Sequence, residues 1–329
     1  MKALLALSLW MAAAGTDDRP SVVTVVGASG APEYAGQFRQ SAERWQAAGR
    51  KAGAESIAVG LSDQSQAGVT DRERLKAILA GTAKDVPEPL WIVLLGHGTY
   101  DGREAKFNLR GPDLTEVELG EWLAPYKRPV IIIDCTSASG SFINRLSGKN
   151  RVVVTATKSG NETNFARFGN YLAEAISDPH ADLDKDGQVS LLEAFLTASS
   201  RVEEYYRTHS QLATEHALLD DNGDRQGTPA NWFRGIRATQ RAKDGAALDG
   251  TRAHQLHLVP SDREREIPAV TRRKRDQLEL SIAALRDQKE KLGEAEYYGR
   301  LEKLMVELAR LYREIGGAAP SSADHQHAH

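Results

Sequence analysis

Leu90-Trp91-Ile92-Val93-Leu94-Leu95 runs without a polar break into Gly96-His97-Gly98, and Val130-Ile131-Ile132-Ile133, introduced by Pro129, runs into Asp134-Cys135-Thr136-Ser137. Continuous apolar runs of this length, rich in β-branched residues and closed by glycine or small polar residues, predict strands buried on both faces. Working outward, Ser21 to Val26, Ile57 to Val59 and Arg151 to Thr155 read as further strands. Helical stretches lie between them at Glu33 to Lys51 and Asn164 to Ile176. Two more helices open at the capping boxes Thr70/Glu73 and Thr115/Glu118, the latter carrying Leu119, Trp122 and Leu123. Doubly buried strands alternating with amphipathic helices predict an α/β fold, a mainly parallel sheet with helices on both faces, over about residues 20–240. In such sheets reactive groups gather beyond the carboxyl ends of the strands. His97 and the group Asp134 to Phe142 stand there.

Glycines on both sides of His97 let the chain turn sharply and leave the imidazole uncovered, where it can move protons near neutral pH. Cys135 offers a thiol that a neighbouring histidine can activate, and Ser137 offers a hydroxyl. At these residues the chain resembles the caspase, metacaspase and legumain superfamily of cysteine peptidases. Leu95-Gly96-His97-Gly98 is similar to the family's His-Gly block, and Asp134-Cys135 followed by Ser139-Gly140-Ser141-Phe142 is similar to its nucleophile block. The resemblance spans roughly Ser21 to Ile176. It implies a caspase-like sheet and hydrolysis of peptide or protein substrates after a selected P1 side chain. His97 would be general base and acid, Cys135 the nucleophile, and backbone N–H groups near Gly98 and Cys135 the oxyanion donors. Aligned backwards from Ser139-Gly140-Ser141 the nucleophile falls on Ser137, and aligned forwards from Asp134 it falls on Thr136. Three outcomes stay open: Cys135, Ser137, or a peptidase-like scaffold without catalysis.

Asp182-Leu183-Asp184-Lys185-Asp186-Gly187-Gln188-Val189-Ser190-Leu191-Leu192-Glu193 fits the EF-hand calcium loop. Asp182, Asp184 and Asp186 supply oxygens at positions one, three and five, and Gly187 makes the turn at six. The Gln188 carbonyl serves at seven, Ser190 at nine and Glu193 closes the shell at twelve. Calcium is the expected ion. A second acidic stretch, Asp220-Asp221-Asn222-Gly223-Asp224-Arg225, has Arg225 where the glycine belongs and Asn231 at the twelfth place. It reads equally as an irregular ion site or a turn.

The ends of the chain differ in character. Lys2, the apolar run Ala3 to Ala14 and the small residues before Gly15 predict a secretory leader over residues 1–15, hence a periplasmic or secreted protein. The single cysteine excludes an intrachain disulfide and any Cys-rich zinc site. Residues 241–260 read as a linker. Tyr297, Leu301, Leu304, Leu308, Leu311 and Ile315 recur at alternating steps of four and three, with Leu278, Ile282, Leu285 and Leu292 upstream. That spacing predicts a helical hairpin or coiled coil over 261–315, turning at Gly293 and able to bind a protein partner or a second copy. Residues 316–329 read as a disordered polar tail ending in His325, His327 and His329.

The 329 residues fit one large or two modest domains, and 41% hydrophobic with 26% charged residues argues against wholesale disorder. A net charge of −3, from 42 basic and 45 acidic residues, gives no uniform field to hold a nucleic-acid backbone. The basic run Arg272-Arg273-Lys274-Arg275 lies among acidic residues and reads as a solvated helix face. No apolar run reaches the roughly 20 residues of a membrane span.

Overall fold

The computed structural model describes residues 19–62, 68–242 and 247–317; the expected leader over 1–15 and the tail from residue 318 lie outside the described residues. The chain begins with β1 (Ser21–Val26), α1 (Pro32–Lys51), β2 (Glu55–Val59), α2 (Asp71–Gly81) and β3 (Leu90–Leu95). A small antiparallel sheet follows, β4 (Gly98–Tyr100), β5 (Ala105–Phe107) and β6 (Leu114–Thr115), and leads into α3 (Glu116–Leu123). Next come β7 (Val130–Asp134), α4 (Gly140–Leu146), β8 (Arg151–Thr155), α5 (Phe168–Ala175) and α6 (Leu191–Thr208). The strands β9 (Leu218–Asp220) and β10 (Thr228–Pro229) precede a two-stranded ribbon, β11 (Phe233–Arg234) and β12 (Arg237–Ala238). Helices α7 (Thr251–Gln255), α8 (Asp262–Glu266), α9 (Ala269–Asp287) and α10 (Glu294–Gly317) complete the described chain.

The central sheet has the order β10-β9-β8-β7-β3-β1-β2. From β2 to β8 every pairing is parallel, whereas β9 and β10 run antiparallel at one edge. The α/β class with a mainly parallel sheet is thus observed. Side-chain alternation divides β3 and β7 between two cores. Trp91, Val93, Leu95, Ile131 and Ile133 pack with Phe38 and Trp45 of α1, Leu172 of α5 and Phe195 of α6. Leu90, Ile92, Leu94, Val130 and Ile132 pack on the other face with Leu75, Leu79, Leu119, Leu123 and Phe142. Each fully buried side chain of this size contributes about 1.5–3 kcal/mol, so two occupied faces explain why neither strand carries a polar residue before its end. Both capping boxes form, Thr70 with Glu73 and Thr115 with Glu118.

Three expectations need correction. The helix read from Asn164 starts at Phe168, because Phe165 is drawn into an aromatic group with Tyr34 and Phe38 and the chain from Asn164 to Arg167 is irregular. Residues 241–260 are not a bare linker. They contain α7, and Asp249, Ala253 and Leu258 are buried against the sheet domain. The reason is a cap supplied from far upstream, since Gly250 and Ala253 donate their N–H groups to Asp221 at 3.0 and 2.7 Å. Arg275, read as solvated, instead makes a two-pronged contact with Glu264 at 2.7 and 2.8 Å and is largely covered.

The C-terminal region is helical, and α9 and α10 pack together through Leu278, Ile282, Leu285, Tyr297 and Leu311. It is tied to the rest of the chain where Gln255 donates to Asp276 O and Glu279 at 2.9 Å, and Arg265 to Lys51 O at 3.1 Å. Among the described residues no helix is long and apolar enough to cross a membrane.

Candidate functional site

Strand order reverses direction at β1, which is followed in sequence by β2 on one side while β3 lies on the other. His97 stands at the carboxyl end of β3, beside the loop after β1, the position where open α/β sheets leave a crevice. Its Nε2 lies 3.1 Å from the Ser29 carbonyl. A carbonyl only accepts, so Nε2 carries a proton and Nδ1 is the basic atom of the neutral ring. Tyr34, Phe38 and Phe165 surround the imidazole with centroids at 4.9, 5.3 and 6.1 Å, all nearly edge-on. Arg167 extends the group, with its guanidinium 4.2 Å from the Tyr205 ring.

The loops after β3 and β7 do meet. Gly98 N–H donates to Ser137 Oγ at 3.1 Å, and the same hydroxyl donates to Gly98 O at 3.0 Å. The approach is so close that a Cβ on Gly98 would fall 2.1 Å from Ser137 O, which is the physical reason for glycine there. Cys135 follows β7 with its side chain in the same core as Leu95 and Phe38, the sheet face on which the His97 ring also lies.

The chemistry of these groups is nevertheless restrained. Cys135 is 4% exposed and its Cβ lies against Gly169 of α5, 2.5 Å from the position a Cβ on that glycine would take. Burial, with the negative charges of Asp134 and Glu215 adding to it, pushes the thiol well above its ordinary value. Among the described residues no hydrogen bond joins His97 to Cys135. Ser137 is buried and spends its hydroxyl on Gly98, while Thr136 donates its hydroxyl to Asp134 at 2.7 Å. The N–H groups expected as oxyanion donors are engaged, Gly98 with Ser137 Oγ and Cys135 with Leu94 O at 3.0 Å. Both therefore serve the packing of the strand ends in this arrangement. A thiolate is the reactive form, so folded protein is expected to react with iodoacetamide far more slowly than the same chain in guanidinium. Equal labelling rates in the two states, followed by mass spectrometry, would contradict the buried thiol.

The acidic loop is well formed. Asp182 Oδ2 accepts from Gly187 N at 3.1 Å, Asp184 Oδ1 from Asp186 N at 3.2 Å, and Asp186 Oδ1 from Gln188 N at 3.0 Å. Lys185 and Gly187 take the left-handed conformation that this winding needs, at φ +63° and +93°. The result converges the carboxylates of Asp182, Asp184 and Asp186, whose ligand atoms lie within 4.8 Å of one another. Asp182 is buried and its Oδ1 has no hydrogen-bond partner. A buried carboxylate oxygen left unpaired is costly, and a cation at the centre of three carboxylates removes that cost. Hard oxygen donors, a buried unpaired one among them, are the donor chemistry of a hard divalent cation.

Ser190 caps α6 and Glu193 completes the box. Glu193 Oε1 accepts from Leu183 N and Asp184 N at 2.7 and 3.2 Å, and Oε2 from Ser190 N and Oγ at 2.9 and 2.8 Å. To close an ion's shell with two oxygens it would exchange some of these bonds. The Gln188 side chain bonds Asp186 Oδ2 at 3.2 Å and accepts from Ser261 N at 3.1 Å.

One feature escaped the sequence reading and a second was read only in part. His254 of α7 lies with Nε2 3.0 Å from Asp184 Oδ2, although seventy residues separate them. The stretch from Asp220, read as an irregular ion site or a turn, winds as a turn: Asp220 accepts from Gly223 N and Arg225 N, Asn222 from Asp224 N, and Asp224 from Gln226 N. Asp221 caps α7, and Asp249 accepts from Asp221 N, Asn222 N and Thr228 Oγ1 at 2.9, 3.2 and 2.6 Å. The sequence held no local sign of the His254–Asp184 contact or of the bonds that Asp221 and Asp249 make, since these join segments about thirty or seventy residues apart.

No family model matches the chain, and neither does any curated protein. Among solved structures, the chain is similar to protein GSU0716 from Geobacter sulfurreducens, at 12% identity and a TM-score of 0.38, covering 67% of this chain and 97% of that one.

Proposed function

We propose that this chain is a calcium-binding protein on a caspase-like frame, in which the ion fastens the C-terminal helices to the sheet domain and the strand-edge residues serve packing rather than peptide hydrolysis. The observation that carries the reading is the buried, unpaired Oδ1 of Asp182 at the convergence of three carboxylates. Asp182, Asp184, Asp186, the Gln188 carbonyl and Glu193 would hold the ion, with Ser190 acting at the ninth place. Calcium supplies charge neutralisation there. The loop's own contacts carry its effect outward, because Gln188 holds Ser261 N and Leu191 N donates to Leu256 O at 2.8 Å. In the periplasmic or extracellular space expected from residues 1–15, modest affinity suffices, on the order of 10⁻⁴–10⁻³ M as in extracellular modules. Partner binding or self-association falls to α10, which exposes Tyr298, Met305, Val306 and Tyr312.

One observation favours a second reading, a cysteine peptidase: His97 and Cys135 share a sheet face at the ends of neighbouring strands. Hydrolysis on this frame would require the Cys135 thiol to leave its pocket against Gly169 and reach Nδ1 of His97. A peptide-library digest with calcium, read by mass spectrometry beside His97→Ala, Cys135→Ala and Ser137→Ala, separates the two. No cleavage above the His97→Ala background is expected. Cleavage lost with His97→Ala and with one of the two nucleophile variants would replace the scaffold reading with the peptidase and report its P1 residue.

A further inference from the structure

The loop does not end its donor set at Glu193. His254 Nε2, the Asp184 carboxylate and the Glu193 carboxylate lie within 4.8 Å of one another, and Asp184 is also a member of the Asp182, Asp184 and Asp186 group. We propose that His254 adds a nitrogen donor to this site, so that the loop also takes a borderline divalent transition ion, for which zinc is the probe. The proposal rests on the calcium reading of the same loop and deepens it.

His254 is placed by rigid parts. Asp221 caps α7 through Gly250 N and Ala253 N, and Asp249 fastens Asp221 N and Asn222 N in turn. Below it, Leu256 O accepts from Leu191 N at the start of α6. The imidazole therefore faces Asp184 because two separate anchors hold its short helix, rather than because a mobile side chain found a carboxylate. The independent sign of a ligand is the Asp182 carboxylate, nine-tenths buried with Oδ1 unpaired, in the adjoining carboxylate group that shares Asp184 with His254. A groove of about 480 Å³, lined in part by Asp182, Gln188 and Ser261, adjoins the loop.

Donor chemistry separates the two ions. Calcium binds oxygen and gains little from imidazole, whereas zinc favours a set of imidazole and carboxylates. Because Asp184 and Glu193 would serve both, the two ions must compete.

Isothermal calorimetry on the full chain tests this, with His325→Ala, His327→Ala and His329→Ala in every arm so that the terminal histidines do not contribute. Zinc and calcium are each measured on that background and on His254→Ala and Asp182→Asn. His254→Ala is expected to weaken zinc about tenfold or more, the scale of losing even an outer-shell partner, and to leave calcium within about threefold. Saturating calcium should abolish the zinc binding that depends on His254. Unchanged zinc affinity in His254→Ala, or equal loss of both ions, overturns the nitrogen donor. Calcium affinity unaffected by Asp182→Asn overturns the calcium reading instead, so the two failures are distinct.

Discussion

Asp182→Asn is expected to remove the stabilisation that calcium gives the wild-type protein. The substitution keeps an oxygen to accept from Gly187 N, as Asp182 Oδ2 does at 3.1 Å. It replaces the buried, unpaired Oδ1 with a neutral amide group. An ion that binds only the folded state stabilises it by about 2.7 kcal/mol at a hundred times its dissociation constant. For a chain of this size each kcal/mol shifts the melting temperature by about 2–4 °C. Wild type should therefore melt about 5–10 °C higher in saturating calcium than in EDTA, and Asp182→Asn should show almost no difference. In EDTA the variant should melt no lower than wild type, because one of three crowded negative charges is gone. Thermal melts by circular dichroism decide it; an equal calcium shift in both proteins would place the ion elsewhere.

Stability in EDTA is expected to fall as pH rises from mildly acidic to mildly alkaline values. Burial pushes Asp134 up to about 7, against the lowering effect of its bonds from Thr136. Burial, joined by the charge of Asp221, pushes Asp249 up to about 9. Glu116, Glu215 and Asp220 shift in the same direction, each chiefly through burial. An unfolded chain gives up these protons near pH 4, while the folded one keeps them. The folded state therefore binds more protons across the intervening range. Its advantage is full below the unfolded value and is lost as pH rises through the folded values. Each such group contributes at most about 1.4 kcal/mol per pH unit, so Asp134 and Asp249 together imply a loss of a few kcal/mol between about pH 5 and 8. Asp178 opposes this only in acid: burial resists its ionisation, but Arg201 and His180 outweigh it and hold the carboxyl at about 2. Chemical denaturation at several pH values should show the decline, and Asp249→Asn should make it shallower. A flat or rising profile would mean that neither carboxyl keeps its proton in the folded protein.

These two effects mark the boundary between local and tertiary information. β1, β3 and β8 have the bounds read from their apolar runs, because a strand buried on both faces leaves a continuous hydrophobic record. The capping boxes Thr70/Glu73 and Thr115/Glu118 were equally legible, since each acts within one turn, whereas Ser190 and Glu193, read as ion ligands, form a third box at the start of α6. The winding of residues 182–188 follows from aspartates at alternate positions and Gly187, again within a few residues. By contrast, the helix expected from Asn164 lost its first turn to an aromatic group drawn from three segments.

By itself, then, the sequence determined the strand runs, the capped helix starts and the winding of the acidic loop, all set by contacts within a few residues or by the burial demanded of one strand. Only the tertiary structure decided what the strand-edge groups face. It set Cys135 against Gly169 rather than in a hydrogen bond with His97, and gave the Ser137 hydroxyl to Gly98. It also brought His254 to Asp184 through a helix capped by Asp221. Such pairings follow from the packing of helices on the sheet and the docking of distant loops. Residue type and spacing along the chain do not encode them.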